Sequence, residues 1–223
     1  MIKLDLHVHS LYSEDAIGRP EDILKTIQKR GLQGVAITDH NTVEGALKAK
    51  KLAPKNILVI PGIEVSTKQG HLLGLNITKV VPRNLSVEET VEHICSLGGI
   101  PIVPHLYRKM SGIKKDNLLR IYQKIPAMEV FNGCSLPKTN MKTAQTAREL
   151  NLGGTGGSDT HDAVYAGYAY TVVQTTDCSI DTVLAEIEKK KTWGEGSTMP
   201  LTYRRDRMLK SIKQFFQRGF KKI

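Results

Sequence analysis

Short apolar runs rich in β-branched residues recur along the chain, separated by stretches whose apolar residues return every three or four positions. IKLDLHVH (2–9), GVAITD (34–39), ILVIPGIEV (57–65), HLLGLNI (71–77), IPIVPH (100–105), AMEVFN (127–132), LGGTGGSD (152–159) and AYTVVQ (169–174) read as strands. Helical patterns lie between most of them. PEDILKTIQKRG puts Pro20 at a first helical position, Ile23, Leu24 and Ile27 on one face, and Gly31 at the stop. SVEETVEHICSLGG opens with Ser86 and Glu89 in the spacing of a capping box and ends at Gly98 and Gly99. Further helices are expected near 43–52, 115–124, 139–150 and 179–191. Alternating strands and helices predict parallel strands joined by crossovers, hence an α/β sheet or closed barrel. Strands apolar on both faces favour a barrel that is packed within and covered by helices without.

A length of 223 residues suits one large domain, and the net charge of +10 is unevenly spread. Residues 201–223 hold eight basic residues against the single acid Asp206, so the rest of the chain is nearly balanced. Residues 1–198 are therefore expected to form the barrel and 199–223 a basic helical extension. Met208, Ile212, Phe215, Phe216 and Phe220 recur there at helical spacing. Such a stripe is expected to pack on the barrel, with nucleic acid or an anionic membrane surface as alternative partners for the charges. Cys95, Cys134 and Cys178 are odd in number and form no C-x-x-C pair, which argues against a disulfide framework or a cysteine zinc site. With no apolar run near ~20 residues, no transmembrane segment is expected and a cytoplasmic protein is.

The ionisable residues cluster at strand ends, where α/β barrels carry their chemistry. In DLHVHS, strand alternation predicts Asp5, His7 and His9 on one face. Asp39 and His40 end the next strand; Glu64 follows ILVIPGI; His71 opens HLLGLNI; His105 ends IPIVPH; Asp159 and His161 follow the glycine-rich run. Only His93 among the seven histidines falls elsewhere, within a helix and opposite Val87, Val91, Ile94 and Cys95, which fits a solvated face. Imidazole and carboxylate donors in this ratio suit zinc, iron or manganese.

DLHVHS, ITDHNT, PGIEVS, GHLLG, PIVPH and GGSDTH, in that order, resemble the motifs of the PHP (polymerase and histidinol phosphatase) family of metal-dependent phosphoesterases. The resemblance implies an irregular (β/α)₇ TIM-like barrel with two or three divalent metal ions. It implies that His7, His9, Glu64 and Asp159 surround one metal, with Glu64 bridging to a second held by His71 and His105. A third would be held by Asp15, His40 and His161, with Glu14 available in place of Asp15. Asp5 and Asp39 are expected to accept hydrogen bonds from ligand imidazoles, and Glu129 either to orient a ligand or to cap the barrel.

Adjacent metals activate water without a nucleophilic Ser or Cys. The expected reaction is hydrolysis of a phosphate ester by a metal-bound hydroxide, on a phosphorylated small molecule, a nucleotide or an oligonucleotide end. Glu64 is expected to bridge, Arg108 or Arg19 to grip phosphate oxygens, and His161 or a bound water to protonate the leaving group. The spacings from Glu64 to His105 and from His105 to Asp159 leave no room for a large inserted domain, so an open site is expected. Alternatives are an RNA-binding scaffold of the same fold without catalysis, which the basic tail would suit, and an amidohydrolase-type C–N hydrolase. The latter often uses a bridging lysine, and no lysine ends a strand here.

Overall fold

The computed structural model describes residues 1–217, except the side chains of Ser211, Gln214, Phe215 and Gln217. Phe220, assigned to the apolar stripe, lies outside the described residues, as does the side chain of Phe215. The strands are β1 (Ile2–Val8), β2 (Gly34–Ile37), β3 (Leu58–Thr67), β4 (Gly70–Leu75), β5 (Ile100–Val103), β6 (Ala127–Asn132), β7 (Gly153–Gly157), β8 (Ala169–Val173) and β9 (Thr192–Gly196). The helices are α1 (Pro20–Lys29), α2 (Glu44–Leu52), α3 (Val87–Ser96), α4 (Lys115–Ile121), α5 (Pro137–Glu149), α6 (Ile180–Glu188) and α7 (Leu201–Gln217). Pro20 does begin α1, and the Ser86–Glu89 capping box is formed at α3.

The strands form one sheet in the order β7-β6-β5-β4-β3-β2-β1-β8-β9. β1, β2 and β3 run parallel, as do β5, β6 and β7; β4 is antiparallel to both neighbours. Past the end of β7 the chain meets β1: the Asp159 N–H donates to the His7 carbonyl at 2.7 Å and the His9 N–H to the Thr160 carbonyl at 2.9 Å. The sheet thereby curls into a nearly closed barrel, with β8 and β9 continuing antiparallel from the lower half of β1. This corrects the (β/α)₇ count. Among the described residues the sheet has nine strands, and β3 and β4, between which no helix is expected, form a tight antiparallel hairpin turning at Lys68 and Gln69 in place of a parallel crossover. β9 was not foreseen, because TWGEG has neither an apolar run nor a clean alternation.

Side-chain direction follows from the core clusters. Leu4, Leu6, Ala36, Ile60, Leu73, Leu75, Ile102 and Ala127 pack together as the barrel interior, with Val183 and Ile187 of α6 at their lower edge. Val8, Val35, Ile37 and Val59 face out against Ile23, Leu24 and Ile27 of α1 and Ala46 and Ala49 of α2. Leu72, Val103, Met128 and Val130 do the same beneath α3, α4 and α5. Continuing the inward parity along β3, β4 and β6 brings Glu64, His71 and Glu129 into the upper barrel.

β1 breaks its own alternation. The pairing with β2 shifts between Asp5, opposite Val35, and Val8, opposite Ile37, so one extra β1 residue bulges there. Asp5 is thereby turned outward with Val35, while His7 and His9 both turn inward. The expectation that all three share a face is corrected accordingly. Asp5 instead accepts the backbone N–H groups of Ser158 (2.8 Å), Gly167 (2.7 Å) and His7 (3.3 Å), tying β1 to the segment after β7 and the approach to β8. Burial outweighs these donors and raises its carboxyl to about 6.

Candidate metal centre

Nine side chains singled out from the sequence meet at the C-terminal mouth of the barrel. Glu64, 1 % exposed, is at their centre, and its two oxygens face different groups. Oε1 lies 2.8 Å from His71 Nδ1 and 3.0 Å from His105 Nε2. Oε2 lies 3.3 Å from His7 Nε2, 3.1 Å from His9 Nε2 and 3.2 Å from His40 Nδ1. Asp159 Oδ1 approaches the same His7 and His9 nitrogens at 3.7 and 3.5 Å. Asp15 Oδ2 stands 3.1 Å from His161 Nε2 and 3.8 Å from His40 Nε2. Asp15 is buried and Glu14 exposed, so Asp15 is the acid that enters the cluster.

Two of these residues are aimed by an unusual backbone. His105 has φ +29° and Asp159 φ +53°, conformations that cost a non-glycine residue roughly 1–2 kcal/mol each. Each is held by a hydrogen bond, from the His105 N–H to Glu129 Oε2 (3.0 Å) and from the Asp159 N–H to the His7 carbonyl. β7 reaches its place because it is glycine: a Cβ on Gly157 would stand 2.3 Å from His7 Cβ, and one on Gly156 2.3 Å from the Tyr170 carbonyl.

A second layer fixes the rings. Glu129 Oε1 takes His7 Nδ1 at 2.9 Å, and its Oε2 also accepts the Asn132 amide at 2.9 Å. Of the two roles open for Glu129, it thus takes that of orienting His7. Asp39, expected to accept from an imidazole, accepts the Ser10 N–H (2.6 Å), the Ser10 hydroxyl (2.7 Å) and the Ser13 hydroxyl (3.1 Å). Ser13 completes the relay, since its oxygen lies 3.3 Å from His9 Nδ1. The reach of an aspartate at the end of β2 suits the turn after β1 better than the rings beyond it. Arg108 Nη2 donates to Asp159 Oδ2 at 2.5 Å and Asn132 Oδ1 at 2.9 Å, leaving Asp159 Oδ1 to the cluster. Arg19 is exposed at the start of α1, and His93 is half-buried on α3, outside the cluster.

The electrostatics are those of closely packed charges. Burial alone would raise Glu64 and Asp159; the imidazoles His71, His40 and His7 hold Glu64 well below the usual range, and Arg108 and His7 do so for Asp159. Burial opposes charge on His9, yet Asp159 and Glu64 lift it to about 9. Burial lowers His40 and His105, and carries His161 down to about 3. The Nε2 atoms of His7 and His9 lie 3.1 Å apart, room for one proton and no more. Among the described residues Asp15 Oδ1 and His105 Nδ1 are buried without a hydrogen-bond partner, and His40 Nδ1, though 3.2 Å from Glu64 Oε2, is not aligned to form a hydrogen bond with it. Converging lone pairs, orphaned donors and a mixed imidazole–carboxylate set fit divalent metal ions. Four triads, His7/His9/Glu64, His7/His105/Asp159, His40/Glu64/His71 and His9/His40/His161, each bring their donor atoms within 4.8 Å of one another.

The PHP domain model matches residues 5–170. The chain belongs to the PHP domain family. It is 37 % identical over 142 residues to the uncharacterised protein MJ1587 of Methanocaldococcus jannaschii, covering 59 % of this chain and 82 % of that one. It is 35 % identical over 85 residues to phosphoribosyl 1,2-cyclic phosphate 1,2-diphosphodiesterase of Eggerthella lenta, covering 35 % of this chain and 32 % of that protein. Among solved structures, a two-domain Bacteroides vulgatus protein described as containing a predicted PHP-like metal-dependent phosphoesterase superposes with a TM-score of 0.76 at 18 % identity. That match covers 88 % of this chain and 65 % of the other, and the likeness is one of fold.

One group of residues at the site had no signal in the motifs. From α7, Arg207 donates through Nη1 to Asp15 Oδ2 at 3.0 Å and through Nη2 to His161 Nε2 in a short contact. Lys210 Nζ donates to the Asp15 carbonyl at 3.1 Å, and the Tyr203 hydroxyl accepts the His161 N–H at 3.0 Å. Tyr203, Arg207 and Lys210 recur at four and three residues and so share one face of α7. The other face does not pack as expected. Met208, Ile212 and Phe216 are 56, 43 and 60 % exposed, because α7 is fastened to the barrel by its polar side. Among the described residues no helix is long and apolar enough to cross a membrane.

Proposed function

We propose that this PHP-family chain hydrolyses a phosphate ester at a cluster of two or three divalent ions, of the zinc, manganese or iron kind. The observation that carries it is the division of the Glu64 carboxylate, one oxygen toward His71 and His105, the other toward His7, His9 and His40. A single anion placed so serves two neighbouring cations. In this reading His7, His9, Glu64 and Asp159 hold one ion, Glu64, His71 and His105 a second, and Asp15, His40 and His161 form a third position. When bound, the ions would supply Lewis acidity toward phosphoryl oxygens and activation of water.

The protein's own groups prepare that chemistry. Glu129 keeps the proton of His7 on Nδ1, so Nε2 offers its lone pair to the cluster. Arg108, 29 % exposed along its side chain, steadies Asp159 and presents a guanidinium at the edge of the site, suited to phosphate oxygens. His161, with its Nδ1 3.2 Å from the Asp159 carbonyl, keeps its proton there, and in this reading it or a bound water would protonate the leaving group. The substrate class is a nucleotide, an oligonucleotide end or a small phosphomonoester, and the named activity of the Eggerthella lenta relative, a phosphodiesterase acting on a cyclic phosphate, supports phosphoester chemistry.

The test is to strip the purified protein with chelator, reload it with manganese, zinc or iron, and assay a generic phosphomonoester and a phosphodiester. Activity is expected to vanish on stripping and return on reloading. A protein that binds less than one ion per chain after reloading, or that hydrolyses neither ester when loaded, overturns the reading.

A further inference from the structure

We infer that Arg207 is a built-in competitor for the cation at the Asp15–His40–His161 position, so that a third metal ion can enter only by displacing the C-terminal helix from it. The inference rests on the cluster being a metal centre and concerns how its third position is filled.

The geometry is specific. A neutral imidazole nitrogen has one lone pair, and that of His161 Nε2 is taken by the Arg207 Nη2–H. Its Nδ1 cannot serve instead, being turned to the Asp159 carbonyl at 3.2 Å. Arg207 Nη1 takes Asp15 Oδ2, the same oxygen that faces His161 and His40. Two of the three side chains of that position therefore give their inward donor atoms to one guanidinium. The charge also fits, since a guanidinium always carries the positive charge that Asp15 would otherwise seek from a metal.

The arginine is delivered rather than free to wander. Tyr203 accepts the His161 N–H at 3.0 Å and Lys210 donates to the Asp15 carbonyl at 3.1 Å, one turn to either side of Arg207. Arg204 Nη1 donates to the Ser135 carbonyl at 3.2 Å on the adjoining rim. Meanwhile Met208, Leu209 and Ile212 stay exposed, and the ring of Tyr203, 4.3 Å between centroids from that of Tyr165, is an apolar contact that withdrawal of the helix would break. Polar attachment directed at Asp15 and His161 makes the seat of α7 depend on what those two residues hold.

The experiment is a calorimetric manganese titration of the full-length wild type, Arg207→Ala and Arg207→Lys, with hydrogen exchange of residues 201–217 followed at each stage of loading. The first two ions are expected to bind alike in all three proteins. The third is expected to bind Arg207→Ala at least about tenfold more tightly than wild type, the equivalent of removing one charge-assisted hydrogen bond. Arg207→Lys, which keeps the charge but loses the paired donors, should fall between. In the wild type, exchange across 201–217 should quicken only as the third ion binds. Equal third-ion affinity in wild type and Arg207→Ala, two ions only in both, or exchange in 201–217 indifferent to metal would each overturn the inference. Failure of any of the proteins to bind even a first ion would instead overturn the metal-centre reading beneath it.

Discussion

Glu129→Gln changes one atom and tests whether the second layer sets the chemistry of the first. The carboxylate is 1 % exposed and serves three partners: His7 Nδ1 at 2.9 Å on Oε1, and the His105 N–H at 3.0 Å and Asn132 amide at 2.9 Å on Oε2. If the new NH₂ takes the Oε2 place, it confronts two fixed donors, and burying them unpaired costs about 1–3 kcal/mol each. If it takes the Oε1 place, it confronts only His7, which can respond by moving its proton from Nδ1 to Nε2. The second outcome is cheaper and should prevail. A proton on Nε2 consumes the lone pair aimed at Glu64 and His9, so the cost appears in metal binding. Loss of such an orienting carboxylate typically weakens metal affinity 10- to 100-fold, about 1.4–2.8 kcal/mol. Competition against a chromophoric chelator measures the affinity, circular dichroism checks the fold, and ¹⁵N shifts of the His7 ring report its tautomer. Full metal affinity together with an Nε2-protonated His7 would refute the coupling between ring orientation and metal binding.

Other expectations concern the first layer and the frame. Glu64→Gln should lower both metal content and rate, because it removes the anion facing both halves of the cluster, while His93→Ala on α3 should change neither; full occupancy in Glu64→Gln by elemental analysis would show that Glu64 bridges nothing. Metal uptake near neutral pH should expel at least one proton: His9 is raised to about 9, so it is protonated below that pH and must deprotonate to bind. Affinity should consequently rise about tenfold per pH unit per proton released up to pH ~9, and calorimetry in buffers of different ionisation enthalpy should detect the proton; a pH-independent affinity between 6 and 8 contradicts it. Gly157→Ala should destabilise by about 1–3 kcal/mol in urea unfolding, since its Cβ would press on His7 Cβ at 2.3 Å; wild-type stability with full metal content would mean that β1 and β7 are less closely set than this.

Much of the frame was legible because its strands are continuous apolar runs and its helices carry start and stop residues. Eight of the nine strands among the described residues coincide with runs visible in the sequence; the exception, β9, reads TWGEG and is extended because it pairs with β8 and lies against β7, where the Thr192 hydroxyl donates to the Gly154 carbonyl at 2.9 Å. Gly194 shows why: a Cβ there would stand 2.3 Å from the Thr155 carbonyl, so the residue is chosen for close approach, which leaves no hydrophobic trace. Parity along β1 failed for a related reason. A bulge is a property of how two strands pair, and nothing within IKLDLHV says where the extra residue will fall.

The cluster was legible to the extent that its residues sit at strand ends, where the barrel itself supplies the convergence. Arg207 lies on a helix beyond the last strand, in a segment with two helical stripes superposed. Leu209, Ile212 and Phe216 mark one, Tyr203, Arg207 and Lys210 the other, and hydrophobicity alone makes the first look like the buried side. The balance of buried charge decides otherwise. Asp15 is 3 % exposed; burial would raise its carboxyl, but His161, His40 and Arg207 hold it well below the usual range, and of these three only the guanidinium is charged at every pH, since burial depresses both imidazoles. A buried carboxylate so placed must find positive charge beside it. The guanidinium of Arg207 at 3.0 Å supplies it, and bringing it there turns the polar face of α7 to the barrel and leaves Met208, Leu209 and Ile212 exposed.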